Sequence, residues 1–323
     1  MTVPLVSVLV PAFRPHYLDT CIASIVGQGF TDFELIIGDD SDGDDIASVV
    51  TKWNDRRIRF ERNPDRQQPG ANRDFLISRA SGRYLKFVFD DDFLLPRSLE
   101  LLCAAAQDQR AALAFHGRYV VDEDGRVTDR GLVAPPDRVV PFPARLVFDH
   151  VVAERANHIG EPSNILLDAE TLASIDQPFG LDGMRMRFLT DVALYVNFAL
   201  HGFRMAAIGR HGSCFRLHTS QASATNGPLY SAGLFEWELF LRWSTDQGYV
   251  AAEVCEAGLD ELHRSYGEHL VDLPELGRFV ALGTGPGTEG RYLSSAYLAA
   301  LADAWAVVDD RVAATRQPQL AAT

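Results

Sequence analysis

Short apolar runs alternate with amphipathic stretches over the first 110 residues of the chain. Residues 5–10 form a β-branched run closed by Pro11, and residues 17–27 then place apolar side chains at helical spacing. The same alternation predicts strands at 33–37, 58–60 and 84–89, and helices at 46–53, 72–80 and 96–107. Strands that alternate with helices predict crossover units, and therefore a largely parallel sheet with helices on both faces.

The pattern changes after residue 110. Residues 111–119 and 126–127 flank the turn DEDG and predict a hairpin, and APPDRVVPFP is a proline-rich connection. After about His218, amphipathic helices are predicted at 235–243, 253–268 and 291–308. We therefore expect three parts, at residues 1–110, 111–220 and 221–323, of which the last is a helical C-terminal region.

The charge of the chain limits its partners. Its 323 residues carry a net charge of −14, and the sequence pI is near 5.0. Such a surface repels polyanions, so we do not expect nucleic acid as a partner. If the ligand is itself an anion, a bound divalent cation is the simplest way to offset the carboxylates.

The cysteines and the N-terminus bear on the cellular location. The four cysteines lie far apart without a Cys-x-x-Cys spacing, so we expect reduced thiols rather than a thiolate metal site or a disulfide framework. The N-terminus lacks the basic flank of a signal peptide, and no apolar run approaches the roughly 20 residues that span a bilayer. We expect a cytoplasmic protein, peripheral at the membrane where a partner or an amphipathic surface brings it there.

Acidic clusters follow the second and fourth predicted strands. GDDSDGDD follows the second strand, and Asp90, Asp91 and Asp92 follow the fourth. Open parallel sheets bind ligands at the carboxyl ends of their strands, which is where both clusters lie. Three adjacent carboxylates repel one another unless they share a cation, so the second cluster suggests a site for a hard metal ion. A solvated acidic turn explains that cluster equally well when it is considered alone.

Four segments of the first hundred residues decide between these two interpretations. VSVLVPAFRP, SIVGQGFTDFELIIGDDSDGD, GANRDFLISRASGRYLKF and FDDDFLLP resemble the family 2 glycosyltransferases of GT-A fold. The resemblance implies an α/β fold of GT-A type, with a Rossmann-like, mostly parallel sheet flanked by helices. It also implies that residues 1–110 are the nucleotide-sugar-binding half of this domain and that residues 111–220 are its acceptor-binding and catalytic half.

The resemblance assigns the donor-side residues one by one. Pro11, Ala12 and Phe13 would line the pocket for the base, Asp40 would accept a hydrogen bond from a base N–H, and Arg73 would face the diphosphate.

The resemblance also assigns the acidic triplet. Asp90 would contact the ribose, Asp91 would be the principal metal ligand, and Asp92 would be an auxiliary one. The family often has an aspartate where this chain has Phe89, so which carboxylate touches the metal is left open. CFRLHTSQAS resembles the family's Arg-x-His segment, in which His218 would complete the metal shell or contact the diphosphate.

Two later segments resemble the acceptor side of the family. NHIGEPSNILLD offers Glu161, Ser163 and Asn164 as acceptor contacts. MRFLTDVALYVNFALHGF places Asp191 at the start of an apolar helix, at the position of the family's catalytic base. Without the family context, Asp191 would be read as a carboxylate stabilised at a helix N-terminus.

These assignments imply an inverting glycosyltransferase dependent on Mn²⁺ or Mg²⁺. It would move a sugar from a nucleotide diphosphate donor, expected to be a UDP- or dTDP-sugar, to a hydroxyl of a glycan or secondary metabolite, with Asp191 as general base. One alternative is a nucleotidyltransferase of similar fold, although the first loop, PAFRPHY, lacks the expected glycines. Another is a non-catalytic nucleotide-sugar-binding protein. If the protein forms a homodimer, the C-terminal helices are where we expect the contact.

The segment Gly285-x-Gly287-x-x-Gly290 is a competing motif that resembles a dinucleotide-binding fingerprint. Too few residues follow it to complete a mononucleotide-binding half, and Pro286 stiffens the turn. We therefore predict a loop there.

Overall fold

The computed structural model describes residues 3–68, 70–219, 221, 224 and 227–316. The strands are β1 (Val6–Ala12), β2 (Phe33–Asp39), β3 (Ile58–Arg62), β4 (Tyr84–Phe87), β5 (Phe93–Leu94), β6 (Leu113–Val121), β7 (Val127–Gly131), β8 (Val139–Phe142), β9 (Ile165–Asp168), β10 (Gly180–Leu181), β11 (Met184–Arg185) and β12 (Met205–Arg216). The α-helices are α1 (Leu18–Val26), α2 (Asp45–Val50), α3 (Ala71–Arg79), α4 (Ser98–Gln109), α5 (Ala144–Leu146), α6 (Ala169–Ala173), α7 (Thr190–Leu200), α8 (Tyr230–Asp246), α9 (Ala252–His269), α10 (Gly277–Leu282) and α11 (Ser295–Arg316). Short 3₁₀ helices cover Pro162–Asn164 and Pro274–Leu276, and a π-helical segment covers Val147–Val152.

The chain divides into two compact units. The first, which we call the sheet unit, comprises residues 1–144, 157–178 and 198–218. The second, which we call the helical unit, comprises residues 145–156, 179–197 and 219–323. The predicted functional division at residues 110 and 220 stays a prediction.

The main sheet lies in the sheet unit and has the strand order β3-β2-β1-β4-β9-β6-β12-β5. Strands β3, β2, β1 and β4 are parallel, as are β6 and β12. Strand β9 lies between β4 and β6 and is antiparallel to both, and β7 and β8 add antiparallel pairs. The predicted α/β fold with a mostly parallel central sheet is thus confirmed, and the hairpin around DEDG is present as β6 and β7.

Strand β1 lies between β2 and β4 and is apolar on both faces. Val6, Val8, Leu9 and Val10 are fully buried, since helices cover both sides of a parallel sheet. Each such side chain contributes about 1.5–3 kcal/mol of burial energy. The carboxyl ends of β1, β2 and β4 point the same way, so the loops that follow them lie at one edge of the sheet.

The helical unit contains the predicted C-terminal helices as α8, α9 and α11. Its core includes a stacked pair, Phe235 and Phe279, whose ring centroids are 5.5 Å apart. The glycine motif at 285–290 lies in a loop that follows α10, so the apolar run before it is a helix rather than a strand. The prediction that this motif is a loop is confirmed.

The cysteines and the helices bear on the expected cellular location. All four cysteines are free and buried. No helix in the described ranges combines the length and the apolar character needed to cross a bilayer.

Candidate active site

The loop after β1 is tied to the acidic triplet by Asp90. Its Oδ2 accepts the backbone N–H groups of Phe13 at 2.7 Å and Arg14 at 2.8 Å. Burial, and then the charge of Asp91, raise the pKa of Asp90 to about 6, although the two N–H donors oppose the shift. Asp90 therefore shapes the loop that carries the predicted base-pocket residues, of which Ala12 is buried and Phe13 is 45% exposed.

Asp91 and His218 lie together although they are far apart in the sequence. Nε2 of His218 is 3.0 Å from Oδ2 of Asp91, and the histidine side chain is only 5% exposed. Tyr17 packs against the imidazole, with ring centroids 5.5 Å apart. The structure thus brings together two of the predicted metal ligands.

Asp92 points into the protein beneath this pair. It is 1% exposed, and its Oδ1 accepts the backbone N–H of Arg216 at 3.0 Å. Its Oδ2 has no hydrogen-bond partner among the described residues. Burial, followed by repulsion from Asp91, raises the pKa of Asp92 well above its usual value. An ionised Asp92 therefore lacks compensation on one oxygen.

Arg216 is a residue of the candidate site that the sequence analysis did not identify. Its Nε donates to the carbonyl of Asp91 at 3.0 Å, and its Nη1 donates to the carbonyls of Asp122 at 3.1 Å and Glu123 at 2.9 Å. The guanidinium lies 4.2 Å from the Tyr17 ring centroid. Arg216 thus joins the acidic triplet to the hairpin turn. The Arg-x-His spacing was the available signal, but only its histidine was singled out.

The carboxylates and the histidine of the candidate site can be compared with the ligands that a divalent cation requires. Within the part of the chain that the structure describes, no group of three or more His, Cys, Asp and Glu side chains is arranged to hold a metal ion. Asp91 and His218 could supply a pair of ligands, and Oδ2 of the buried Asp92 has no hydrogen-bond partner among the described residues. Mg²⁺ is commonly held by one or two carboxylates together with substrate phosphates. These residues therefore fit a cation that binds with a diphosphate.

The first acidic cluster has a different environment. Asp39 is fully buried and accepts the N–H of Ser41 at 2.9 Å and its hydroxyl at 2.6 Å. Oδ1 of Asp40, the predicted base contact, accepts Nδ2 of Asn63 at 2.8 Å and the N–H of Gln67 at 3.0 Å. Asp40 is therefore held firmly at the carboxyl end of β2.

Helix α3, which carries Arg73, packs closely on β2. Asn72 donates to the carbonyl of Gly38 at 2.8 Å, and a Cβ on Gly38 would lie 2.4 Å from the Asn72 side chain. Only glycine permits this approach. Nε of Arg73 lies 2.9 Å from Asp74. The predicted contact of Arg73 with a diphosphate stays a prediction.

The predicted acceptor segment contains Gly160, which has a φ of +97°. A Cβ there would strike the side chain of Asn164, so the turn requires glycine. Oε2 of the next residue, Glu161, lies 2.8 Å from Nε of Arg118. Burial raises the pKa of Glu161, and Arg118 opposes the shift.

Ser163 and Asn164 are internal rather than surface residues, each 1% exposed. Oγ of Ser163 accepts the N–H of Phe89 at 3.1 Å, and Oδ1 of Asn164 accepts the Ser213 hydroxyl at 2.6 Å. These bonds join the acceptor segment to the loop after β4 and to β12. Their burial favours a supporting role, and contact with an acceptor stays a prediction for both.

Lys86 is a second residue that the sequence analysis missed. It is fully buried on β4, and its ammonium donates to the carbonyl of Ser163. Burial lowers the pKa of Lys86 to about 7, and the charge of Asp92 opposes the shift. The signal in the sequence was a single lysine inside the apolar strand YLKF.

Asp191 belongs to the helical unit. It lies in the first turn of α7, as predicted, and its Oδ1 accepts the N–H of Val192 at 2.8 Å. A carboxylate at this end of a helix is favoured by the helix dipole. Its role as general base stays a prediction.

The chain is similar in sequence to known glycosyltransferases. Residues 7–158 match glycosyl transferase family 2. A GalNAc(5)-diNAcBac-PP-undecaprenol beta-1,3-glucosyltransferase of Campylobacter jejuni is 35% identical over 129 residues, which are 39% of this chain and 41% of that protein. The Escherichia coli UDP-Glc:alpha-D-GlcNAc-diphosphoundecaprenol beta-1,3-glucosyltransferase WfaP is 23% identical over 221 residues, covering 68% of this chain and 80% of that protein.

A solved structure has the same fold. The Staphylococcus aureus TarS fragment 1–349, in complex with UDP-GlcNAc, aligns with a TM-score of 0.56 and 17% identity, covering 96% of this chain and 83% of that chain. The alignment supports the GT-A type of α/β fold expected from the sequence. Through its motifs and the family match, the part of the chain at residues 7–158 belongs to glycosyl transferase family 2, and the fold agrees with this assignment.

Proposed function

We propose that the protein is an inverting glycosyltransferase that uses a uridine or thymidine diphosphate sugar as donor. The observation that carries this proposal is the Asp91–His218 pair, 3.0 Å apart, at the edge of the sheet where the loop after β1 is tied to Asp90. A carboxylate and an imidazole that converge beside the loop after β1 suit recognition of a metal-bound diphosphate.

Each donor-side residue has a role in this proposal. Phe13 and Asp40 bind the base, Asp90 meets the ribose, and Arg73 binds the diphosphate. Mn²⁺ or Mg²⁺ held by Asp91 and His218 would supply positive charge that stabilises the leaving diphosphate.

The acceptor side supplies the proton transfer. Asp191 takes the proton of the acceptor hydroxyl as that oxygen bonds to the anomeric carbon and the bond from this carbon to the diphosphate breaks. Direct displacement inverts the configuration at the anomeric carbon. Glu161, which lies beside Arg118 in the acceptor segment, is the alternative candidate for the base.

The names of two relatives support a proposal for the acceptor class. The names of the Campylobacter and Escherichia relatives specify acceptors built on undecaprenyl diphosphate. We therefore propose a hydroxyl of a polyprenyl-diphosphate-linked glycan as the acceptor. The match spans 41% of the length of the Campylobacter relative.

A paired substitution tests the base. Asp191→Asn keeps the shape of the side chain but removes its basicity, so kcat for transfer from UDP-glucose or UDP-GlcNAc should fall about a hundredfold to ten-thousandfold. Donor affinity should barely change, which separates loss of a base from loss of a metal ligand.

Glu161→Gln is the companion variant. If Asp191→Asn transfers at a near-normal rate while Glu161→Gln is slow, Glu161 is the base and Asp191 is eliminated. If Asp191→Asn instead loses donor affinity, Asp191 belongs to the donor site. Absence of both transfer and donor hydrolysis in the unmodified protein, across a panel of nucleotide sugars with Mn²⁺, would leave only a binding function.

A further inference from the structure

Glu236 is a fully buried glutamate on α8 whose carboxylate receives three consecutive backbone N–H groups. Oε1 accepts the N–H of Arg187 at 2.7 Å, and Oε2 accepts those of Phe188 at 3.0 Å and Leu189 at 2.7 Å. The indole Nε1 of Trp305, on α11, donates to Oε1 at 3.0 Å. A buried carboxylate is costly unless its oxygens are satisfied, and here four donors satisfy them.

Helix α11 holds the same segment by a second route. Nη2 and Nε of Arg187 lie 2.8 and 3.1 Å from the two carboxylate oxygens of Asp309. The guanidinium also lies 4.8 Å from the centroid of the Trp305 ring. Residues 187–189 are thus fixed by α8 and α11, both of which belong to the C-terminal helices.

The fixed segment leads directly into the helix that carries Asp191. Helix α7 begins at Thr190, and the N–H of Ala193 closes the first turn on the carbonyl of Leu189 at 3.0 Å. The backbone on either side of Leu189 therefore sets where the first turn lies, and Asp191 is part of that turn. A displacement of about 1 Å at a catalytic group can cost about a hundredfold in rate.

We propose that Glu236 is a positioning residue for Asp191, holding residues 187–189 so that the first turn of α7 presents the base in one place. This inference rests on the proposed role of Asp191 as general base. It gives the C-terminal helices a part in the reaction that no sequence motif marks.

Glu238 provides a matched control for the test. It is also fully buried on α8, but its carboxylate is bonded to Arg242 at 2.8 Å and to His263 at 3.2 Å, away from residues 187–189. Glu236→Gln replaces one acceptor oxygen with an NH₂ group that cannot accept, and Glu238→Gln makes the same chemical change at the control position.

We expect both variants to have a lower melting temperature than the unmodified protein. Only Glu236→Gln should also have a lower kcat when it is folded. At a temperature where both are folded, its kcat should be about tenfold or more below that of Glu238→Gln, with the KM for the UDP-sugar within about twofold. Amide hydrogen exchange in residues 187–190 should be faster in Glu236→Gln and unchanged in Glu238→Gln.

Equal kcat values in Glu236→Gln and Glu238→Gln would overturn the inference. A reduced kcat in Glu236→Gln with unchanged amide hydrogen exchange at residues 187–190 would overturn it too. Asp309→Asn is a milder second variant for use if Glu236→Gln does not fold, since Asp309 is 47% exposed. It should raise exchange in the same peptide and lower kcat about two- to fivefold, and a variant that changes neither contradicts the proposal.

The kcat of Asp191→Asn distinguishes failure of the positioning role of Glu236 from failure of the proposed base. If Asp191→Asn is slow while Glu236→Gln matches its control, only the positioning role fails. If Asp191→Asn transfers normally, the proposed base is wrong and the inference falls with it.

Discussion

Acidic residues follow both β2 and β4, and the protein compensates the two clusters differently. After β2, Asp39 is bonded to Ser41, and Nε of Arg62, at 3.2 Å, adds a cation. After β4, Asp90 and Asp92 receive backbone N–H groups, and Oδ2 of Asp92 has no partner among the described residues.

The cations beside the two clusters also differ. Arg62 is 38% exposed and keeps its charge, whereas Lys86 is fully buried and burial lowers its pKa to about 7. In the cluster after β2, Arg62 pairs with Asp39 and Asp44. In the cluster after β4, Oδ2 of Asp92 has no hydrogen-bond partner among the described residues, and a divalent cation arriving with a diphosphate would offset the carboxylates. Similar acidic strings thus differ in whether the protein's own side chains pair with them.

The largest expected effect is at the β4 cluster. Asp91→Ala should lower Mn²⁺-dependent transfer on the order of a thousandfold, because the cation contributes several kcal/mol at the leaving group. It should also abolish the Mn²⁺-dependent rise in thermal stability with UDP. Asp42→Ala, in the exposed part of the β2 cluster, is the control and should transfer normally. Unchanged UDP affinity after chelation of metal from the unmodified protein would contradict the metal assignment.

The second prediction concerns the buried cation. Lys86 has a pKa of about 7 in the folded protein against 10.5 for the free group, so between these pH values the unfolded chain holds the additional proton. The free energy of unfolding therefore rises as pH increases from about 7 to 10.5, where Lys86 is neutral in the folded protein. This gain is absent below pH 7. Each pKa unit corresponds to about 1.4 kcal/mol, so the gain is several kcal/mol at most.

Urea unfolding of the unmodified protein and of Lys86→Met across this pH range measures that gain. Their difference in unfolding free energy should change with pH and favour the unmodified protein increasingly toward high pH. A difference that stays constant would show that Lys86 keeps its proton throughout.

A smaller effect is expected at the base contact. Asp40→Ala should weaken binding of a UDP- or dTDP-sugar about tenfold, as expected for one hydrogen bond to a charged group. Asp40 also braces Asn63 and Gln67, so circular dichroism must first establish that the variant is folded. Isothermal titration giving equal affinities would make the β2 cluster purely structural.

The smallest effect is at the exposed end of the β2 cluster. Oδ1 of Asp44 lies 2.9 Å from Nη2 of Arg62, but its side chain is 87% exposed. Solvent and salt weaken such pairs, so Asp44→Ala should leave the melting temperature within about 1 °C of the unmodified protein. A clear destabilisation would show that the charge balance of this cluster extends to its surface.

Much of the sheet was predictable because period and composition are local properties. The apolar runs of β1, β2 and β4 and the helices between them were predicted near their observed bounds, and the predicted family and fold class are confirmed. The two-residue strand β5 was not predicted, because so short a segment carries no periodicity. The position of β9 between β4 and β6 was not predicted either, since pairing order depends on contacts between distant segments.

In the candidate site, too, some features were set by the sequence and others only by the tertiary structure. The sequence by itself determined which residue types follow each strand, because the carboxyl ends of parallel strands share one edge and the motif residues follow those ends. Only the tertiary structure decided that His218 meets Asp91, that Ser163 and Asn164 face inward, and that Glu236 holds the segment before Asp191. These outcomes depend on burial and on hydrogen bonds between residues far apart in the chain, which no local pattern encodes.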